Sequence, residues 1–289
     1  MLVHGHERMI EMLQKDDGLL MEPDTLGQTP LYFAARNGVV AVMEKILESK
    51  VDPNQKGPLE KSPLWLASES QDPPIVAALL RNKHVNPDCI YNGKTPLWSA
   101  AGRGATQLVE LLLGRLKDLG DINPNHSYQG QTPLSIAAGN GHNKVIESLL
   151  GNHMVKTNSP DPDGRTPFHL AILGGHSEVV DALLERDGWE WQLEDCFGVT
   201  PFQEALCSFQ QDPEKNSILD YFLKLDTRLP LNRQICRYCD QFMSRLRLPS
   251  TRAVQHSAPR WFLESSSERC YVCRFILQEA QQRSKKHEG

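Results

Sequence analysis

Four cysteines stand in two Cys-x-x-Cys pairs, Cys236 with Cys239 and Cys270 with Cys273. Two residues between thiols let a tight turn aim both sulfurs at one ion, and two such pairs complete the tetrahedral four-thiolate set that structural zinc prefers. Zinc, bound for structure, is therefore the expected cofactor. Residues 240–269 make a longer spacer than the roughly 15 to 20 residues common in such sites, and His256 within it offers a substitute imidazole. Two other chemistries use the same residue types. Buried thiols pack as small apolar groups, and Cys270 and Cys273 fall on the first turn of an amphipathic stretch through Arg274-Phe275-Ile276-Leu277. A redox pair would need a βαβ context, which nothing around it supplies. Elsewhere there is no Gly-rich phosphate loop, no Gly-x-Ser-x-Gly elbow and no His-Glu-x-x-His helix. The acidic group Asp161, Asp163, Glu194 and Asp195 falls in turns, where carboxylates are routinely solvated. No enzyme is expected.

These cysteines lie in a segment of distinct composition. After residue 228 there are eleven Lys and Arg against five Asp and Glu, or +6, which leaves −11 for residues 1–228 within a total of −5. The 289-residue chain is long enough for two units, and the boundary is expected near residue 228. No apolar run approaches the roughly 20 residues of a membrane span. The N-terminal stretch carries His4, His6, Glu7, Arg8 and Glu11 where a secretory signal needs an unbroken apolar core. An intracellular chain with reduced thiols is the expectation, without membrane insertion and with cytoplasm and nucleus not distinguished.

What precedes the basic segment is periodic. Gly-x-Thr-Pro followed by Leu or Phe recurs with its threonine at Thr29, Thr95, Thr132, Thr166 and Thr200, and Ser62 fills the gap in Glu60-Lys61-Ser62-Pro63-Leu64. Thr or Ser before Pro suits a helix start, because the hydroxyl accepts a backbone N–H and Pro loses no hydrogen bond at the first helical position. A second helix follows in each unit, with apolar pairs one turn apart such as Leu108-Val109 with Leu112-Leu113 and Val145-Ile146 with Leu149-Leu150. Gly38, Gly104, Gly141 and Gly175 sit between the two helices, where positive φ is favoured. Turn-rich stretches such as Asp52-Pro53-Asn54 and Asn123-Pro124-Asn125 join successive units. At the N-terminus, Gly5-His6, Met9-Ile10 and Leu13 match only the second helix of a unit, and Cys207 to Ser217 adds polar residues to a last, degenerate one.

A phrase of this kind at a spacing near 33 residues resembles the ankyrin repeat. The resemblance implies an all-α solenoid of helix-turn-helix units with short hairpin loops, residues 1–228, followed by a small cysteine-rich, basic module, residues 229–289. It also implies non-catalytic binding of a protein partner along the concave face of hairpin tips and first helices, with no small-molecule substrate. Transferred to this chain, that face carries Arg36, Asn37, Tyr91, Asn92, Lys94, Arg103, Tyr128, Gln129, Gln131, Asn140 and Arg165 as candidate partner-binding residues. Gln28, Leu59, Lys61, Glu69, Asp163 and Phe197 hold corresponding positions. Tyr91 and Tyr128 occupy the same repeat position, and Tyr and Arg are frequent binding hot spots; the alternative is that these tips are simply solvated. Trp65, Trp98 and His169 share a slot read as packing between first helices, and His142 and His176 are read as bonding to turn backbone.

The segment from Cys236-Arg237-Tyr238-Cys239 through Gln255-His256-Ser257 to Cys270-Tyr271-Val272-Cys273-Arg274-Phe275-Ile276-Leu277 resembles the leading segment of fungal heterokaryon-incompatibility proteins. That likeness implies a fungal ankyrin protein and, as an alternative function, a fragment of a cell-death effector whose larger domain is absent. A looser likeness of Leu229 to Arg237 to ligase-docking boxes implies an adaptor for a ubiquitin ligase. Nucleic-acid binding through Arg245, Arg247, Arg252 and Arg260 is disfavoured, because their charge is spread out beside an acidic array.

Overall fold

The computed structural model describes residues 23–25, 27–49, 51–184 and 193–201, with Glu204. All but Glu204 belong to the first of two units into which the chain divides, Met1–Pro201; the second is Phe202–Gly289. The N-terminal half-repeat, the closing unit and the cysteine pairs of the sequence reading lie outside the described residues.

Among the described residues five helix pairs follow one another: α1 (Pro30–Asn37) and α2 (Val40–Leu47), α3 (Pro63–Ser70) and α4 (Pro73–Arg81), α5 (Pro96–Arg103) and α6 (Thr106–Leu119), α7 (Pro133–Gly139) and α8 (Asn143–Leu150), α9 (Pro167–Gly174) and α10 (Ser177–Leu184). Each first helix packs on the next first helix and each second on the next second. The expected all-α repeat architecture is therefore present, and the described residues contain no strand beyond isolated bridges at two hairpin tips.

The helix starts follow the chemistry of Thr-Pro. Thr29, Ser62, Thr95 and Thr132 accept the backbone N–H of Tyr32, Trp65, Trp98 and Ser135 at 3.1 to 3.2 Å, with Pro at the first helical position. The inter-helix glycines take φ of +73° to +76°. A Cβ on Gly104 would also meet the His142 ring at 2.7 Å, so this position requires glycine for space as well as for φ. The apolar pairs of the second helices form the core: Ile75, Leu79, Leu108, Leu112, Ile146 and Leu149 are at most 2% exposed.

The 37-residue step from Thr95 to Thr132 is absorbed by α6, which runs 14 residues against eight or nine in the other second helices. Its extra turn is anchored by Leu116, 2% exposed, and by the buried Arg115. The linkers are stitched to one another by side-chain amides. Asn54 donates to the His84 carbonyl and accepts from Asn86 N–H, and Asn125 does the same with Met154 and Lys156.

Candidate recognition face of hairpin tips and first helices

Two kinds of tip precede the first helices. In Tyr91-Asn92-Gly93-Lys94 and Tyr128-Gln129-Gly130-Gln131, the end residues exchange both backbone hydrogen bonds, and the two central residues have φ of +50° and +78°, or +51° and +77°. That is the two-residue type I′ hairpin, and its second central position needs Gly. At Gly93 a side chain would additionally meet the Tyr128 ring at 2.9 Å. The tips at Asp24, Asp161 and Asp195 are one residue longer and are held by their carboxylates: Asp161 Oδ1 accepts from Asp163 and Arg165, and Asp195 Oδ1 from Phe197 and Val199. Tyr91 and Tyr128 thus mark a change of turn, because neither can cap the hairpin as Asp does.

Their rings instead join adjacent units. Tyr91 lies against Trp65 with centroids 5.4 Å apart, and Tyr128 meets Trp98 edge-on at 5.2 Å. Lys61 sits 4.9 Å over the Tyr91 ring, and Lys94 lies between Trp98 at 4.9 Å and Tyr128 at 4.8 Å. Arg165 approaches Phe197 at 6.0 Å. The rule is legible inside the chain. Where the residue before Thr or Ser is Lys, as at Lys61 and Lys94, the next tip offers Tyr; where it is Gln, as at Gln28 and Gln131, the next tip offers Pro58 or Pro162. Cation and aromatic thus occur together or not at all, as expected of a cation–π pair.

The candidate residues divide accordingly. Arg36, Asn37, Asn92, Arg103, Gln129 and Asn140 are exposed, whereas Tyr91, Lys94, Tyr128, Gln131 and Arg165 are half-buried. Arg103 donates to the Glu69 carbonyl at 2.9 Å, and Asn140 to the Gly102 carbonyl at 2.8 Å. Each therefore satisfies a carbonyl at the C-terminal end of the preceding first helix. Arg36 reaches Gln28 Oε1 at 3.4 Å, and Asn37 bonds back to the Phe33 carbonyl. The tyrosines are thus not freely solvated tips but parts of a packed aromatic row, which their shared register alone did not reveal. Lys61, Trp65 and Trp98 complete that row, and the Lys/Tyr, Gln/Pro alternation was the signal that could have placed them there.

The slot shared by Trp98 and His169 has a definite task. Trp98 Nε1 donates to the Gln131 carbonyl at 2.8 Å, and His169 Nε2 lies 3.0 Å from the Val199 carbonyl, the equivalent position of the next unit. His142 and His176 Nε2 meet the Gly102 and Gly139 carbonyls at 3.1 Å, in keeping with the backbone role expected of them.

A carbonyl only accepts, so Nε2 of His169 carries the proton, while Nδ1 accepts from the Thr166 N–H at 3.1 Å. Burial holds the His169 pKa below its ordinary value, the Val199 carbonyl pulling the other way. The stabilisation from neutral His169 is present above the unfolded-state pKa near 6.5 and is lost as pH falls below it, because the unfolded chain takes up the proton first. The urea midpoint should therefore drop between pH 7.5 and pH 5.5 by more in the wild type than in His169→Gln. Equal slopes would remove this residue from the acid response.

Burial also pushes the Cys89 thiol up to about 11, which keeps it protonated and unreactive at neutral pH. Among the described residues no three His, Cys, Asp or Glu side chains converge as a metal site, and no helix is long and apolar enough to cross a membrane.

Comparison with known proteins agrees with this geometry. The family model of ankyrin repeats in three copies matches residues 43–125, 64–161, 104–195 and 137–228, and that of a single ankyrin repeat matches residues 26–55. The chain belongs to the ankyrin-repeat family. It is 28% identical over 102 residues to neurogenic locus notch homolog protein 1 of Xenopus laevis and 31% identical over 106 residues to neurogenic locus notch homolog protein 4 of Homo sapiens. These matches take in 35% and 36% of this chain but only 4% and 5% of the relatives' own lengths. Among solved structures, the ankyrin repeat domain of Bcl-3, a member of the IkappaB protein family, superposes with a TM-score of 0.61 at 24% identity, covering 74% of this chain and 91% of that one. An ankyrin repeat domain from Acinetobacter baumannii AYE gives 0.58 at 23% identity, covering 66% and 96%. At such identities these likenesses show the fold alone.

Proposed function

We propose that the chain is a non-catalytic scaffold that recognises a protein partner along the face of hairpin tips and first helices. Membership of a family of interaction domains supports the reading. The observation that carries it is the row Lys61, Tyr91, Lys94 and Tyr128, packed so that neighbouring tips are presented in a fixed arrangement. Side chains already ordered before binding lose little entropy on association. Because Tyr91 and Tyr128 also pack against tryptophans, their removal would confuse binding with stability, and position-specific crosslinking is the cleaner test. A photo-reactive residue at Arg36 or Asn140 should give a discrete adduct with another polypeptide in an extract of cells that make the chain. The same residue at Glu44 or Glu147, on second helices, should not. Adducts from the second helices alone would sink the reading.

The cysteine module belongs to the same proposal on the strength of its spacing. Cys236, Cys239, Cys270 and Cys273 hold one structural zinc in an intracellular, reducing setting. Elemental analysis of the full chain should find one zinc, lost when all four are changed to serine. A metal-free wild type, with a four-serine variant equally stable, would leave the thiols packing or idle. The readings as a fungal cell-death effector fragment or as a ligase adaptor stand on the sequence of residues 229–289 alone.

A further inference from the structure

We infer that the occupant of this face is an acidic polypeptide segment bearing a bulky apolar side chain, its carboxylates lying on Arg36, Lys94 and Arg103 and the apolar group in the cleft between the first two units. The inference rests on the reading of the tip and first-helix face as the recognition surface and names the chemistry of the partner.

On the tips and first helices, carboxylates and cations differ in whether they are paired. Tips and first helices carry Arg36, Lys61, Lys94, Arg103 and Arg165. The carboxylates beside them are already engaged: Glu69 with Lys61 at 2.6 Å, Asp163 with Arg165 at 3.3 Å, and Glu60 with Lys56 at 3.3 Å. Among the described residues no carboxylate comes within ion-pair distance of Arg36, Lys94 or Arg103, whose neighbours are the neutral Gln28 oxygen, two aromatic rings and the Glu69 carbonyl. The second helices mix both signs, with Glu44, Glu110, Asp118, Glu147 and Glu178 beside Lys45, Arg81, Lys117 and Lys144. Among the described residues, Arg36, Lys94 and Arg103 thus stand without a carboxylate partner in a stretch, residues 1–228, that is strongly acidic overall. Lys94, lying on two rings, is held in place and partly stripped of water, so a carboxylate arriving there displaces less solvent than at a free lysine.

The apolar part of the site lies at one end of the row. A cleft of about 570 Å³ is lined by the apolar Tyr32, Pro58, Leu59 and Leu66 together with Arg36 and the ion pair of Lys61 with Glu69. Leu59 is 74% exposed and stands at φ +60°, followed by Glu60 at +61°. Two consecutive non-glycine residues in the left-handed region are costly to hold, and such cost is found where a tip has a task in binding. Here it presents a leucine to the cleft. The chemistry favours a peptide over a nucleic acid: three unpaired cations on an acidic array suit a few carboxylates, whereas a polyphosphate needs a dense basic stripe and would be repelled by the rest of the surface.

The test selects from a random 12-residue peptide library on the immobilised full chain. Its variants use residues that the chain itself places at equivalent positions: Lys94→Gln, as at Gln131, and Arg103→Asn, as at Asn140. Circular dichroism confirms that the double variant folds. Enrichment of peptides rich in Asp and Glu with one Leu or Phe, bound about tenfold or more weakly by the double variant and more weakly still as salt rises, is the expected result. Neutral or basic peptides lost on the double variant would overturn the acidic partner while leaving the recognition face in place. Peptides indifferent to Lys94→Gln, Arg103→Asn and a further Arg36→Gln would overturn both readings. Retention of a single-stranded DNA oligonucleotide at physiological salt, lost in the same variants, would replace the peptide with a nucleic acid.

Discussion

Arg115→Ala is expected to lower stability by about 3–5 kcal/mol, because a buried carbonyl left without its donor costs about 1–3 kcal/mol and several lose theirs at once. The side chain is 4% exposed, and every nitrogen of its guanidinium is engaged. Nη1 donates to the Leu80 and Asn82 carbonyls, Nη2 to those of Lys83 and Val85, and Nε and Nη2 meet Asp121 Oδ2 at 3.0 and 2.8 Å. These carbonyls belong to the last turn of α4 and the loop after it, where the helix leaves its acceptors unpaired and its dipole favours a cation. Removing the arginine takes the donor from the Leu80, Lys83 and Val85 carbonyls, while Asn82 keeps the Val85 N–H and Asp121 keeps contact with water. In an array stabilised by nearest-neighbour contacts, the loss falls on the joint between the second and third units. Urea denaturation followed by circular dichroism should show the midpoint fall with helicity in water retained. Arg115→Lys should recover only part of the loss, because one ammonium cannot reproduce a planar fork that reaches five acceptors. A cost of less than about 1 kcal/mol for the alanine variant would mean that the loop rearranges and that α6 does not need its cation.

Arg115 also shows where sequence reasoning reached and where it stopped. The six Thr/Ser-Pro phrases fix the helix starts, and the apolar pairs fix the buried faces, because each is a local rule repeated. The 37-residue step was legible as extra length, but whether that length would go into a loop or a helix depended on what could bury it. The answer was within reach: Arg115 stands three residues after Leu112 and seven after Leu108, on the apolar stripe of α6. A cation on that stripe reads as a break in the pattern until the α4 carbonyls are seen above it. The candidate face of tips and first helices was legible in the same partial way. Equal register placed Tyr91 and Tyr128 at the tips, but that Lys61 and Lys94 reach forward to them from the preceding tips is a contact between units, which a period does not express. The cysteine spacing states a chemistry for residues 236–273 on sequence alone.

The second large effect is expected at Trp98, where packing meets the proposed recognition. Trp98→Ala should cost about 3 kcal/mol, the lower end of the range for a large aromatic because the ring is only partly buried. Trp98→Phe keeps most of the ring but leaves the Gln131 carbonyl without its indole donor, at about 1–2 kcal/mol. Trp65 provides the internal control. It is 5% exposed, and its Nε1 has no hydrogen-bond partner among the described residues. Trp65→Phe therefore removes an unsatisfied donor, offsets part of what the lost ring area contributed, and should change stability by less than about 0.5 kcal/mol. The functional consequence follows from Lys94, whose ammonium rests on the Trp98 and Tyr128 rings. Ring currents should move its terminal methylene protons upfield in the wild type, and Trp98→Ala should return them toward free-lysine values. Acidic-peptide affinity should fall in the same variant although Trp98 touches no carboxylate, because a lysine freed from its platform must be ordered again on binding. If affinity survives in Trp98→Ala while the proton shift is lost, Lys94 binds as a point charge and the aromatic row serves only to join the units.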